Sequence, residues 1–240
     1  MKDFKMRNYL LAGVVFLGIS SSAMAGAIGN LSVANCAGGG VTVTLTTIVW
    51  TPPTMGGTAG CIDTGIGTSV SYTGGGGGTL LPGVVGNILN LTAGGGSVND
   101  FMTFAVPTAY TLDFVLTGLG PGVGNTNCGT LNAAGQTCSV AAGSPFILTY
   151  LTATTTGVSL GAFGTITDGG VTSSWIGSFT TQLNSYTGAI QTTELGGGSI
   201  ASTQSGNFTV SSVPEPGTVS MFLLSGIALI GFGRKRLGKS

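Results

Sequence analysis

The sequence predicts an all-β protein, an antiparallel β-sandwich of jelly-roll type, flanked by an N-terminal signal helix and a C-terminal transmembrane helix. Three observations carry this. Short runs alternate apolar and polar residues, as half-buried strands do. Glycine supplies 45 of 240 residues and separates those runs. No sustained helical period crosses the body. Strands at this spacing, broken by Gly-rich turns, favour a sandwich.

From the N-terminus, residues 1–25 fall into a basic stretch with Lys2, Lys5 and Arg7, an apolar run over 9–19, and a small-residue exit ending Ala23-Met24-Ala25. That order is a secretory signal peptide with cleavage between Ala25 and Gly26. It implies handling by the Sec translocon and signal peptidase.

Residues 26–212 form the predicted ectodomain. The clearest strand is 110–117, where Tyr110, Leu112, Phe114 and Leu116 alternate with Thr111, Asp113, Val115 and Thr117. The stretch 41–45 alternates equally well, and weaker strands are expected near 87–92, 100–106, 146–151, 158–163, 171–183 and 206–210. Glycine runs at 38–40, 74–78, 94–96 and 196–198 lack the Lys-Ser/Thr ending of a phosphate loop and read as flexible loops. No internal repeat of fixed period points to a solenoid or propeller.

Four cysteines, Cys36, Cys61, Cys128 and Cys138, form an even set in a chain bound for an oxidising compartment. Three connectivities are open. Short local loops favour Cys36–Cys61 and Cys128–Cys138, and the absence of a C-x₂-C pair argues against a Cys₄ metal site.

Charge narrows the chemistry. Between Asn8 and Gly233 there is no Lys, Arg or His, while Asp63, Asp100, Asp113, Asp168 and Glu194 lie in the body. A mildly acidic body without cations excludes nucleic-acid binding. It also lacks the usual general base and phosphate clamp. Ile62-Asp63-Thr64-Gly65 resembles the Asp-Thr-Gly active-site motif of aspartic proteases, whose chemistry needs a second carboxylate. No second Asp-Thr-Gly exists, so Asp63 is expected to be a turn residue beside a disulfide. A glycosidase would need two acids facing one cleft, and no spacing here pairs them. Calcium at Asp100, Asp113 or Asp168 has no supporting motif, and lone acids of this kind are expected to be solvated. No cofactor or metal is expected. Three Asn-x-Ser/Thr sequons, at Asn30, Asn90 and Asn207, are candidate glycan acceptors.

The C-terminal segment 213–240 reads Val213-Pro214-Glu215-Pro216, then an uncharged stretch over 217–233, then Arg234-Lys235-Arg236. Those seventeen uncharged residues would rise roughly 25 Å as a helix, at the short end of a membrane span. The basic cluster would hold its end in the cytoplasm. The two prolines keep Glu215 extended between them.

This ordered triplet resembles the PEP-CTERM sorting signal of exosortase substrates in Gram-negative-type bacteria. The later body, through Cys128, Cys138, Trp175, Phe179 and Gln182, also loosely resembles the β-rich bodies of such proteins. The resemblance implies a chain anchored transiently in the inner membrane, processed by exosortase, and released to the cell surface or beyond, with exopolysaccharide a candidate partner. The sequence reading is therefore a non-enzymatic structural or biofilm-associated protein. The alternative is a secreted carbohydrate-active or aspartic-type proteolytic module.

Overall fold

The computed structural model describes residues 26–51, 59–92, 96–106 and 110–212. The expected signal segment 1–25, with Ala23 and Ala25, and the tail 213–240 lie outside the described residues.

The chain enters as β1 (Ile28–Asn35), β2 (Gly40–Val43), β3 (Thr47–Thr51), β4 (Ala59–Thr64), β5 (Ser69–Tyr72), β6 (Gly78–Leu80), β7 (Val85–Leu89) and β8 (Leu91–Thr92). It continues through β9 (Val98–Val106), β10 (Tyr110–Leu119), β11 (Thr137–Cys138), β12 (Phe146–Thr152), β13 (Thr155–Asp168) and β14 (Val171–Leu183). Helix α1 (Thr187–Leu195), β15 (Ile200–Ser202) and β16 (Ser205–Ser212) complete it.

Eight strands close on themselves in the order β10-β9-β7-β4-β1-β16-β14-β13, and the ring is completed by β13 pairing with β10. All of these pairings are antiparallel. The expected sandwich is thus corrected to a barrel. The physical reason lies in β13, whose one edge pairs with β14 along its length. Its other edge is shared: residues up to Leu160 take β12, and Ala162 onward takes β10. Alternation is the same in sandwich and barrel, so only this long-range pairing decides closure.

An eight-stranded ring leaves an interior just wide enough for side chains. Here it is filled by rings. Trp175 lies 5.4 Å from Phe208, 6.2 Å from Phe114 and 6.3 Å from Phe101, and Phe179 lies 4.9 Å from Phe208. Trp175 Nε1 donates to the carbonyls of Val115 and Thr165, both at 3.1 Å, so its one polar atom is satisfied inside the barrel.

The space for these rings comes from glycines directly opposite them. In register, Gly86 faces Phe104, Gly164 faces Trp175, Gly177 faces Phe208 and Gly206 faces Phe179. A β-carbon at Gly86 would lie 2.5 Å from the Phe104 ring, and one at Gly164 would lie 2.7 Å from Trp175. The strand glycines are therefore packing partners of aromatic rings, a role distinct from the loop-forming one read from the glycine runs.

The two barrel ends are closed differently. A four-stranded sheet, β15-β2-β3-β8, sends Trp50 against Phe101 (6.2 Å) and Phe179 (6.0 Å). At the Asp168 end, Tyr72 stacks on Tyr110 at 6.0 Å beside the turn Gly74–Gly76. In β9, Asp100 adopts φ 53° within a register shift against β10, where Phe114 pairs with Met102 but Leu116 with Val98. That bulge breaks the alternation and lets the neighbours Phe101 and Met102 both be buried.

Outward positions along β14 are mostly hydroxyl- or amide-bearing, with Thr172, Ser174, Ser178, Thr180 and Gln182 interrupted by the exposed Ile176. An apolar interior with a polar exterior is the reverse of a lipid-embedded channel barrel.

Helix α1 was not foreseen from the pattern. It is short and rich in Thr, and its N-cap Tyr186 makes no side-chain cap. Tertiary bonds hold it: Thr187 Oγ1 donates to the Cys128 carbonyl, Gln191 Nε2 donates to the carbonyls of Thr126 and Val140, and Gln191 Oε1 accepts from Cys128 N. Ile190 seals a second small core with Cys128, Leu131, Cys138, Val140 and Leu148.

The glycine–ring pairing yields a test. A methyl group at Gly164 would lie 1.9 Å from the Val115 carbonyl oxygen as well as against Trp175, so Gly164→Ala is expected to cost about 3 kcal/mol or more. Gly157→Ala, where the nearest atom would be 3.6 Å away, is expected to be near neutral. Urea unfolding of the two variants measures the difference.

Candidate functional site

Both disulfides form as the local connectivity predicts. Cys36 and Cys61 have Cα atoms 5.6 Å apart and Cys128 and Cys138 5.4 Å apart. The first ties β1 to β4 beside their pairing. The second pins the loop on which α1 rests.

The acids occupy separate places, and several are corrected. Asp63 lies within β4, paired opposite Ala34 and Val85, and is a strand residue where a turn was expected. Its Oδ1 is buried without a hydrogen-bond partner among the described residues. Asp168, expected to be solvated, is fully buried. It accepts from Thr73 N and Gly74 N, both at 2.6 Å, and from Thr73 Oγ1 at 3.0 Å. A carboxylate facing N–H and O–H donors is arranged as a clamp, and those donors occupy the places a calcium ion would need. It fastens the β13–β14 hairpin to the turn at Gly74–Gly76, ninety-odd residues earlier in the chain.

Asp100 and Asp113 come from neighbouring strands β9 and β10. Burial pushes the Asp113 carboxyl up, and the nearby Asp100 charge adds to it. Among the described residues no group of three acids or cysteines is placed to hold a metal ion.

Glu194, which the sequence marked only as one of the body acids, is also buried. It is 4% exposed, on the face of α1 that lines a cavity of about 30 Å³ with Val43, Phe146, Leu148, Leu183 and Ile190. Burial pushes its carboxyl up to about 7. The chain has no body cation to offset this. The sequence signal was weak: Ile190 and Glu194 are four residues apart and share a helix face, but only once the helix is known.

The sequons divide. Asn90 accepts from Trp50 N at 2.9 Å and is committed to holding β3. Asn30 and Asn207 are exposed on the paired strands β1 and β16, where Asn30 stands opposite Thr209 and Ser32 opposite Asn207.

A groove of about 600 Å³ runs over β12, β13 and β14 to the turn before β16. Its lining includes Thr149, Leu151, Gly157, Ser159, Thr180 and Gln182, and no charged residue. No feature of the sequence marked it.

Together these define a disulfide-stapled, closed β-barrel whose described residues include acids but no Lys, Arg or His, and whose last strand ends at Ser212 where the C-terminal tail begins. Residues 212–236 match the family model described as the PEP-CTERM protein-sorting motif. The match covers the segment on which the resemblance rested, with Val213, Pro214, Glu215, Pro216 and Arg234, Lys235, Arg236 inside it. It implies an exported protein that exosortase sorts to the cell surface. No curated protein and no solved structure matches the chain. Among the described residues no helix is long and apolar enough to cross a membrane, and the predicted span at 217–233 lies outside them.

Two predictions follow from the buried acids. Asp168→Ala removes the acceptor for three donors, two of them backbone groups, and is expected to cost about 3 kcal/mol, while Asp168→Asn, which keeps one accepting oxygen, costs about half of that. Chemical denaturation ranks the two. Glu194 is raised on folding, so its protonated form favours the native state. Its contribution is fully present below the unfolded value of 4.5 and is lost as pH rises through about 7. The protein is therefore expected to be more stable at pH 5 than at pH 8, by on the order of 2 kcal/mol after allowing for solvent screening. Glu194→Gln should flatten that slope, and thermal melts across the range measure it.

Proposed function

We propose that this chain is a non-enzymatic structural protein of the extracellular matrix or biofilm. It is exported through Sec, trimmed at Ala25-Gly26 by signal peptidase, held briefly in the inner membrane by the span at 217–233, and processed by exosortase at Val213-Pro214-Glu215-Pro216. The observation that carries this reading is the sorting motif at 212–236, which begins where β16, a strand of the barrel wall, ends. The barrel itself is thereby the cargo. Its acids favour a structural role: Asp168 is occupied by backbone donors, and Glu194 is enclosed by apolar side chains.

The test uses the placement of the basic residues. Once residues 1–25 are removed, no Lys or Arg precedes Arg234. Processing near Val213 removes the tail's basic cluster, so the mature protein is expected to resist trypsin even when reduced and unfolded. Intact mass from wild-type cells should then end near Val213, and from exosortase-deficient cells should retain Arg234. Equal masses with Arg234 present in both strains would overturn the sorting role.

A further inference from the structure

We infer that the groove over β12–β14 binds a short stretch of uncharged glycan. The inference rests on the reading of the barrel as matrix-associated cargo and gives that cargo a ligand class.

The groove is built by a glycine used in the opposite way from those of the interior. Gly157 faces outward between Thr149 on β12 and Gln182 on β14, its cross-strand partners. It has no side chain, and a β-carbon there would find ordinary contact distances, the nearest atoms being Leu151 Cδ1 at 3.6 Å and Thr149 Cβ at 3.7 Å. The result is a trough with a backbone floor. Ser159 extends the floor, and Thr149, Thr180 and Gln182 rise beside it.

The chemistry of the walls selects the ligand. Among the described residues, no side-chain hydrogen bond engages Thr149, Ser159 or Gln182, so their donors and acceptors are available to a ligand. Hydroxyls and an amide offer both donors and acceptors, which matches a ligand whose own groups are hydroxyls. Leu151 and the bare Gly157 backbone give an apolar strip for the C–H face of a sugar. No cation lies in the groove or anywhere in the described body, so an anionic ligand has no counter-charge. A peptide docking by strand addition needs an open sheet edge of several residues, whereas β13 is paired on both edges and β14 is paired with β16 as far as Thr180, three residues short of its end at Leu183. A volume of about 600 Å³ suits an oligosaccharide segment.

The mature protein purified from its cells is titrated calorimetrically with cellohexaose, maltohexaose and xylohexaose, and in parallel with polygalacturonate and a neutral Ser/Thr-rich peptide. At least one neutral hexasaccharide is expected to bind, with Kd on the order of 0.1–1 mM because no aromatic platform lines the groove. The affinity should be unchanged between about 0.05 and 0.5 M salt, since no charge is involved. Gly157→Val suits a strand and fills the floor, and should weaken binding about tenfold or more at unchanged melting temperature. Gln182→Ala, an exposed change outside the core, should weaken it several-fold and stands in if the first variant folds poorly. Binding by no neutral hexasaccharide, equal binding by Gly157→Val and Gln182→Ala, or preference for the polygalacturonate or the peptide would each overturn the inference. Because sorting is read by intact mass in cells, a groove that fails with the tail correctly processed leaves the sorting role standing.

Discussion

The barrel depends on fitting aromatic rings into a space that eight strands barely provide. A ring of this size has room for one layer of large side chains, and a large residue at every inward position would overfill it. The solution is pairwise. Trp175, Phe179, Phe208 and Phe104 each take the volume in front of their own strand and of the neighbour, where a glycine leaves it empty. Each ring covers the exposed backbone of its glycine, and so offsets part of the entropic penalty that glycine brings to a strand. Strand register follows from the same constraint. A slip of one residue would turn the rings to solvent, and a slip of two would set a ring against a side chain.

That apolar interior matters more because the exterior contributes little electrostatically. With no Lys, Arg or His between Asn8 and Gly233, no acid among the described residues has a cationic side chain there to pair with, and each is handled by other means. Asp168 is met by N–H and O–H donors, and Glu194 is buried where its neutral form is favoured. The acids whose ionisation is shifted, Asp113 and Glu194, are shifted upward, the direction expected when burial acts without a compensating cation. The disulfides add stability that is independent of charge, one beside the β1–β4 pairing and one in the loop on which α1 rests.

Much of the strand content was legible because alternation reports one buried face. The runs at 110–117, 146–151, 171–183 and 206–210 fall on β10, β12, β14 and β16. β4 was missed because Ala59-Gly60-Cys61-Ile62-Asp63-Thr64 puts a glycine where a large inward residue is usual, and its burial is completed by Trp50 lying over Gly60. Closure was not legible either, since it rests on pairs such as Phe114 with Ile166, joining β10 to β13 across two intervening strands with no local signal. Helix α1 stayed hidden because its stability comes from Gln191 and Thr187 bonding to the Cys128 loop. The acids were misread for a related reason. Sequence shows that an acid is alone in the chain, but Thr73 and Gly74 reach Asp168 only after β5, β6 and β13 meet. The sorting tail was legible because its information is linear, an ordered triplet of short features that needs no fold to be read.

The separation of the two faces also decides where function can reside. Inward positions are locked in register with a ring or a glycine, so almost any change there is felt by the fold. Outward positions are less constrained, although the exposed Phe163 covers Gly118 in the same way. Gly164 and Gly157 lie on the same strand, seven residues apart and therefore on opposite faces, and they show the contrast directly: a β-carbon at the first would collide with backbone at 1.9 Å, while at the second it would find ordinary contact at 3.6 Å. A glycine kept at the inner position is explained by packing. One at the outer position, where the strand would be stabilised by a β-branched residue, has no packing explanation and leaves an open trough among uncommitted hydroxyls. The strand thus bears the load of the barrel on one face and is free to bear a ligand on the other.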